Sequence, residues 1–233
     1  MLELFPEGFE ERDAGDVVEL AAYTDSRGEE QLWAAFGNVE HGAVADDWET
    51  RWQQFHRPVI VGDLWVGPPW EEPESDHVAV VIEPGRAFGT GSHPTTQMCL
   101  ALLQAVPRGS VLDLGCGSGV VAIAAARLGC PHVLAVDRDP LAVEATRRNA
   151  VLNGVEVEVR LLDALSAALP QAGTAVANIT RAAVEALAPR VTAQRLITSG
   201  YLQSDVPQLA GYTVTERRST GGWAADLWSP RTQ

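Results

Sequence analysis

The segment Val111-Leu112-Asp113-Leu114-Gly115-Cys116-Gly117-Ser118-Gly119 runs from an apolar stretch through a glycine-rich turn into a second apolar stretch at Val120. Glycines at alternate positions let backbone approach a ligand closely and enter the left-handed region. A helix starting after such a turn offers unpaired N–H groups to an anionic or polar ligand. A dinucleotide fingerprint, G-x-G-x-x-G, would place its third glycine at position 120, where this chain has Val120. The spacing therefore argues against a dinucleotide. Asp137 closes the next apolar run, in Val136-Asp137-Arg138-Asp139-Pro140. A carboxylate at that strand end can accept hydrogen bonds from both ribose hydroxyls of an adenosine. Turn, helix and strand-end acid in register point to an adenosine-type cofactor other than a dinucleotide.

Three further places carry groups able to do chemistry. Upstream, Ile82 to Thr96 forms a glycine-rich loop feeding a helix, with the hydroxyls of Thr95 and Thr96 in its first turn. Such hydroxyls either cap the helix or meet a ligand carboxylate, and the residues alone leave both readings open. His93 in the same loop has the chemistry of a base, although a single loop histidine is more often structural. Asn178, in Asn178-Ile179-Thr180, follows a short apolar run and can both donate and accept hydrogen bonds; it is read either as a ligand residue or as the N-cap of the next helix. Asp163 follows another strand candidate and would either reach an adenine amino group or cap a turn. There is no Ser-His-Asp set with a nucleophile elbow, no H-E-x-x-H and no G-x-x-x-x-G-K.

These residues need a scaffold that brings strand ends together. From Pro94 onward, helical and strand-like runs alternate. Helices are expected over 94–106, 120–128, 141–152 and 182–188, and strands over 110–114, 132–136, 156–161, 174–177, 195–199, 212–216 and 223–228. That alternation predicts a parallel sheet covered on both faces. Only Arg217 to Gly222 separate the last two strands, too few for a parallel crossover, so they should form an antiparallel hairpin. Residues 1–66 differ in texture, being acidic and aromatic. Val17–Tyr23 and Gln31–Phe36 are strand candidates there, joined as a hairpin by Thr24–Gly28, and Asp47–Phe55 is a helix candidate. The tryptophans of this region serve either as its own core or as a recognition surface. The Pro/Glu stretch at 67–77 reads as a linker, and 78–233 as the cofactor-binding domain.

Bulk properties narrow the class. A formal net charge of -14 disfavours contact with a nucleic acid backbone and suits a basic protein or a neutral small molecule. Three cysteines without a C-x-x-C pair indicate neither a disulfide framework nor a zinc site and fit a reducing cytoplasm. No basic segment precedes an apolar run near Met1, and the longest low-charge run, Val111 to Ala126, contains Asp113 and is too short to span a bilayer. The expectation is a cytoplasmic monomer without a membrane segment.

The segments "IEPGRAFGTGSHPTTQMCL", "VLDLGCGSG", "VDRDP" and "VANI" resemble the ribosomal protein L11 methyltransferase family (PrmA). The first is close to a family signature; the second is shared by many class I methyltransferases. The resemblance is good over residues 78–229, loose over 45–70 and poor before that. It implies an α/β, Rossmann-like class I fold, with a seven-stranded, mostly parallel sheet, an antiparallel last strand and a small N-terminal α+β appendage. It also implies S-adenosylmethionine as methyl donor and, as acceptors, the lysine and N-terminal amines of a basic ribosomal protein. By motif position, cofactor contacts fall on Thr96, Gly115, Asp137 and Asn178, with Phe88, Gly89, Gly117 and Asp163 completing the expected set and Asn178 also the catalytic candidate. No metal is expected. Bacterial members carry a longer N-terminal docking domain, so residues 1–66 would be a reduced form of it. Two other readings stay open: a class I methyltransferase acting on another protein or a small molecule, and a cofactor-binding module without turnover.

Overall fold

A computed structural model describes residues 10–13, 18–21, 26–37, 39, 56–84, 89 and 91–231. The chain forms two compact units, Met1–Glu49 and Thr50–Gln233. In the first, β1 (Glu10–Asp13) pairs antiparallel with β2 (Val18–Ala21), and α1 (Ser26–Phe36) follows. The strand expected at Val17–Tyr23 is present as β2, but its partner lies upstream. Gln31–Phe36, expected as a strand, is helical. Short apolar runs such as Gln31-Leu32-Trp33-Ala34-Ala35-Phe36 do not distinguish strand from helix, and Glu29 to Leu32 with Ala34 and Ala35 are strong helix formers. Asp47–Phe55 lies outside the described residues.

The second unit opens with a small sheet. β3 (Val59–Val61) runs antiparallel to β4 (Leu64–Gly67), and β5 (Val78–Val81) pairs with β4 in the parallel sense. The Pro/Glu stretch expected to be a linker is instead the connection from β4 to β5 inside this unit. Its exposed residues mark a surface loop, and composition alone does not separate a loop from a boundary. Trp65 on β4 is 1% exposed, so this tryptophan is core.

The main elements follow in alternation: α2 (Pro94–Ala105), β6 (Val111–Leu114), α3 (Val120–Arg127), β7 (Val133–Asp137), α4 (Pro140–Leu152), β8 (Glu158–Leu161), β9 (Ala172–Asn178), α5 (Arg181–Leu187), β10 (Ala193–Leu202), β11 (Tyr212–Thr220) and β12 (Trp223–Pro230). The spatial order is β11-β12-β10-β9-β6-β7-β8. All neighbours are parallel except β12, which is antiparallel to both β10 and β11. The expected fold class is the one observed. Met98, Leu102, Ile123, Val176 and Ile197 bury one face of the sheet together with Leu64 and Val80 of the small sheet. Leu112, Leu114, Val184, Leu187 and Trp228 bury the other. Each such side chain stabilises the fold by about 1.5–3 kcal/mol.

Topology sets the place of the site. The chain leaves β6 for β7 on one side, whereas β9 lies on the other. A crevice opens at such a switch point, beyond the carboxyl ends of the strands. Leu114, Asp137 and Asn178 end their strands there.

Asn149 on α4 and Asn153 at its C-cap tie the small sheet to this scaffold. Asn153 Oδ1 accepts from Val81 N at 2.8 Å, and Asn153 Nδ2 donates to Val81 O at 2.6 Å and to Asn149 O at 2.7 Å. Asn149 Oδ1 accepts from Glu83 N at 3.0 Å. Removing Asn153 leaves both polar groups of Val81 without these partners, and such a loss costs about 1–3 kcal/mol. Asn153→Ala is therefore expected to lose that much unfolding free energy, seen as a lower urea midpoint with an unchanged denaturant slope. An unshifted midpoint would show that β5 does not depend on this side chain.

Candidate active site

The glycine turn between β6 and α3 uses the conformations its residues permit. Gly115, Gly117 and Gly119 have φ of 77°, 55° and 84°, in the region that favours glycine. Packing imposes a second demand. A Cβ at Gly115 would lie 2.7 Å from Ile179 Cγ2, and one at Gly119 2.7 Å from Thr146 Cγ2. Gly115 N and Cys116 N both donate to Val136 O, at 2.9 and 3.1 Å, which locks the turn onto the end of β7. Thr146 Oγ1 donates to Gly117 O at 3.0 Å.

Asp137 closes this arrangement. Its Oδ2 accepts from Gly117 N at 3.0 Å and its Oδ1 from Asp139 N at 3.0 Å. A carboxylate has about four lone-pair positions, so capacity remains on both oxygens for two hydroxyl donors.

The upstream loop is pinned to the glycine turn. Ser118 Oγ donates to Gly89 O at 2.5 Å, and Asn149 Nδ2 donates to Ser118 O at 2.9 Å. Phe88, expected beside Gly89, lies outside the described residues. The helix cap belongs to His93 rather than to a hydroxyl: its Nδ1 accepts from Thr95 N at 3.3 Å and lies 2.7 Å from Thr95 Oγ1, and its ring meets Trp223 edge-on at 5.0 Å. Thr96 is fully buried, and its Oγ1 accepts from Asn178 Nδ2 at 3.3 Å. That bond joins the upstream segment to the end of β9.

One cavity of about 540 Å³ gathers these groups. Gly89, Thr96, Gly115, Gly117, Asp137, Asp163 and Asn178 all line it. Every expected site residue that the structure describes therefore meets at one place. The volume falls within the ~300–1,000 Å³ usual for cofactor pockets. Asp163 also caps its own turn, with Oδ1 accepting from Leu165 N and Oδ2 from Ser166 Oγ, both at 3.0 Å. The Leu165 N–H, then the Ser166 hydroxyl, hold its carboxyl below the usual range. The left-handed glycines, the lone pairs of Asp137 and a cavity of this size fit an adenosine-bearing cofactor.

Sequence reasoning did not find the residues that hold the site together: Asp113, Ser118, Thr146, Asn149 and Ile179. The spacing of Asn149 and Asn153 was a usable signal, since i and i+4 lie on one helix face. Asp113 is 3% exposed and accepts from Ala122 N through Oδ2 at 3.2 Å. Burial raises its pKa from 3.8 to about 7. Burial likewise raises the Cys116 thiol to about 12, which keeps it protonated and inert beside the cavity.

A cavity at the switch point of a seven-stranded sheet in this order defines a class I S-adenosylmethionine-dependent methyltransferase. The chain belongs to the ribosomal protein L11 methyltransferase family (PrmA), whose description matches residues 9–225. The ribosomal protein L11 methyltransferase of Heliobacterium modesticaldum is 40% identical over 234 aligned positions, 93% of this chain and 73% of that protein. That of Symbiobacterium thermophilum is 40% identical, with 92% and 77% covered. The solved ribosomal protein L11 methylase of Lactobacillus delbrueckii subsp. bulgaricus superimposes with a TM-score of 0.69 at 26% identity, over 76% of this chain and 100% of that one. An RNA methyltransferase from Salinibacter ruber, solved with S-adenosyl-L-homocysteine, shares the fold at a TM-score of 0.50 and 20% identity, with 58% and 90% covered. Among the described residues, no helix is long and apolar enough to cross a membrane.

Asp113 gives the folded protein a pH signature. Its folded pKa lies above its ordinary value, so between about pH 4 and about pH 7 the folded state keeps a proton that the unfolded chain has released. Stability from this group is complete below that window and is lost as pH rises through it. Asp113→Asn keeps an acceptor for Ala122 N and removes the titration. Urea midpoints of the parent protein should fall relative to those of Asp113→Asn between about pH 4 and about pH 8. Parallel profiles would mean that Asp113 is already ionised in the fold.

Proposed function

We propose that this chain transfers methyl groups from S-adenosylmethionine to lysine side chains or the N-terminal amine of ribosomal protein L11, in the cytoplasm and as a monomer. The observation that carries this reading is the single cavity shared by Asp137, the glycine turn and the Thr96–Asn178 pair, in a chain of the L11 methyltransferase family. A net charge of -14 suits a basic acceptor protein and opposes direct contact with RNA. The first unit, Met1–Glu49, is read as the reduced docking region for that protein.

The roles follow from the groups present. Asp137 takes the ribose hydroxyls on its remaining lone pairs, and Asp163, also in the cavity lining, takes the adenine amino group. Gly115 and Gly117, with Gly89 of the upstream loop, let backbone close around the cofactor, and Phe88 remains a candidate contact by its place in the sequence. When bound, the cofactor supplies a sulfonium methyl open to in-line displacement by an amine. Thr96 holds the Asn178 amide by its Nδ2, which leaves Oδ1 to accept an amine N–H and aim the nitrogen lone pair at the methyl carbon. In that displacement the N–C bond would form as the C–S bond breaks, the C–S electron pair staying on sulfur. Lysine attacks only as the neutral amine, having lost its proton to water before attack. No metal takes part in this reading.

The decisive experiment incubates the protein with methyl-labelled S-adenosylmethionine and ribosomal protein fractions. Label is expected in ribosomal protein L11, on amines. Label in another fraction, or none despite measured cofactor binding, would overturn this acceptor. Asn178→Ala should lower kcat on L11 by roughly a hundredfold, and full turnover would remove Asn178 from the mechanism. Asp137→Asn gives up one charged acceptor, so calorimetry should find S-adenosyl-L-homocysteine bound about tenfold more weakly. An unchanged affinity would place the ribose elsewhere.

A further inference from the structure

The position of Asn178 depends on the residue after it, and Ile179 is gripped from two directions. On the cofactor side, its Cγ2 occupies the space that a Cβ at Gly115 would need, 2.7 Å away. On the other side it meets β10. Ile179 N donates to Ser199 O at 3.1 Å, and Asn178 lies opposite Ser199 in the parallel register. The next residue, Gly200, has a φ of 97°. A Cβ there would stand 2.1 Å from Ile179 O and 3.0 Å from Ile179 N, so backbone presses directly on backbone.

Gly200 is a β-bulge. The β10–β12 register runs Thr198↔Asp226, Ser199↔Ala225 and then Tyr201↔Ala224, which leaves Gly200 unpaired with β12. Side chains alternate faces along a strand, so without the extra residue Tyr201 would face away from Thr198. With it, the two share a face. Tyr201 OH lies 2.7 Å from Thr198 Oγ1, 3.1 Å from Thr198 O and 2.8 Å from Asp226 Oδ2. Trp228 Nε1 donates to Thr198 Oγ1 at 2.8 Å, and Arg217 Nη1 reaches Asp226 Oδ2 at 3.3 Å. Tyr201 is 2% exposed, and Thr198 and Asp226 are fully buried. A one-residue slip of β10 would break the hydroxyl's bonds and turn Tyr201 to the other face, so this cluster specifies the bulge.

We propose that Gly200 and Tyr201 are positioning residues for the methyl-transfer step, with Tyr201 fixing the bulge, the bulge fixing the Ile179 peptide, and that peptide fixing the Asn178 amide. The inference rests on Asn178 as the residue that aims the amine. Tyr201 touches neither amine nor cofactor and acts through the backbone. Two glycines without side chains and one isoleucine between them form a wedge that sets Asn178 against the cofactor turn.

The test is a double-mutant cycle on the full-length protein with ribosomal protein L11 as acceptor. Gly200→Ala and the milder Tyr201→Phe are each made in the parent and in Asn178→Ala, and kcat is read at saturating cofactor. In the parent, Gly200→Ala is expected to lose roughly a hundredfold and Tyr201→Phe roughly tenfold. In the Asn178→Ala background, neither should lower kcat further, because the group they position is gone. Equal losses in both backgrounds would overturn the proposal in favour of a general structural effect. Undiminished kcat in both single variants would overturn it also. Should Gly200→Ala not fold, the Tyr201→Phe arm decides on the same criteria. A distinct result, full turnover by Asn178→Ala alone, would overturn the assignment of Asn178 and with it the target of the wedge.

Discussion

Close approach of neighbouring atoms to glycine backbone is the constraint on which this site depends. Ile179 has a glycine on either side, Gly115 in the cofactor turn and Gly200 in the bulge, and neither position has room for a Cβ. Gly119 meets Thr146 in the same way. These contacts bring three strand ends and a helix start within reach of one small ligand, which a side chain at any of these glycines would hold further apart. The tolerance for error is small, because interiors packed at crystal density transmit a displacement instead of absorbing it.

Polar ties do the remaining work, because loops beyond strand ends have little apolar core. Ser118 joins the glycine turn to the upstream loop, Asn149 joins that turn to Glu83, and Thr96 joins α2 to β9. Each tie spans distant parts of the chain and ends on backbone or on another site residue. The cavity is thus framed by hydrogen bonds of defined direction, while the apolar clusters beneath it supply stability without direction. The burial of Asp113 belongs to the same pattern: a carboxyl directly under the turn receives Ala122 N, and its burial raises its pKa to about 7.

The sheet from Pro94 onward was legible because its elements are long enough for period to show and its glycines fall between them. The antiparallel end followed from the short gap, Arg217 to Gly222, between the last two expected strands. The small sheet was not legible. β3 and β4 are three and four residues long, too short for alternation to register, and the Pro/Glu loop after them imitates a domain boundary. In the first unit, Gln31–Phe36 presented apolar residues without a clear period, and helix-forming neighbours decided the outcome. Among site residues, Gly115, Asp137 and Asn178 stood out because they interrupt apolar runs at strand ends. Asn149 and Asn153 did not, since two polar residues four apart on a helix look the same facing solvent or facing a loop.

Gly200 and Tyr201 show why such devices escape a reading by pattern. A bulge adds one residue to a strand, and that addition is invisible to alternation until the partner strand is known. Tyr201 reads as one more apolar position, yet its hydroxyl meets Thr198 and Asp226 only because Gly200 shifts the register. The chemistry at Asn178 therefore depends on an event of pairing, between β10 and β12, that lies on the face of the sheet away from α2. Fold and mechanism meet in the antiparallel strand: β12 completes the sheet and also sets the register in which the acceptor-facing end of β9 is held.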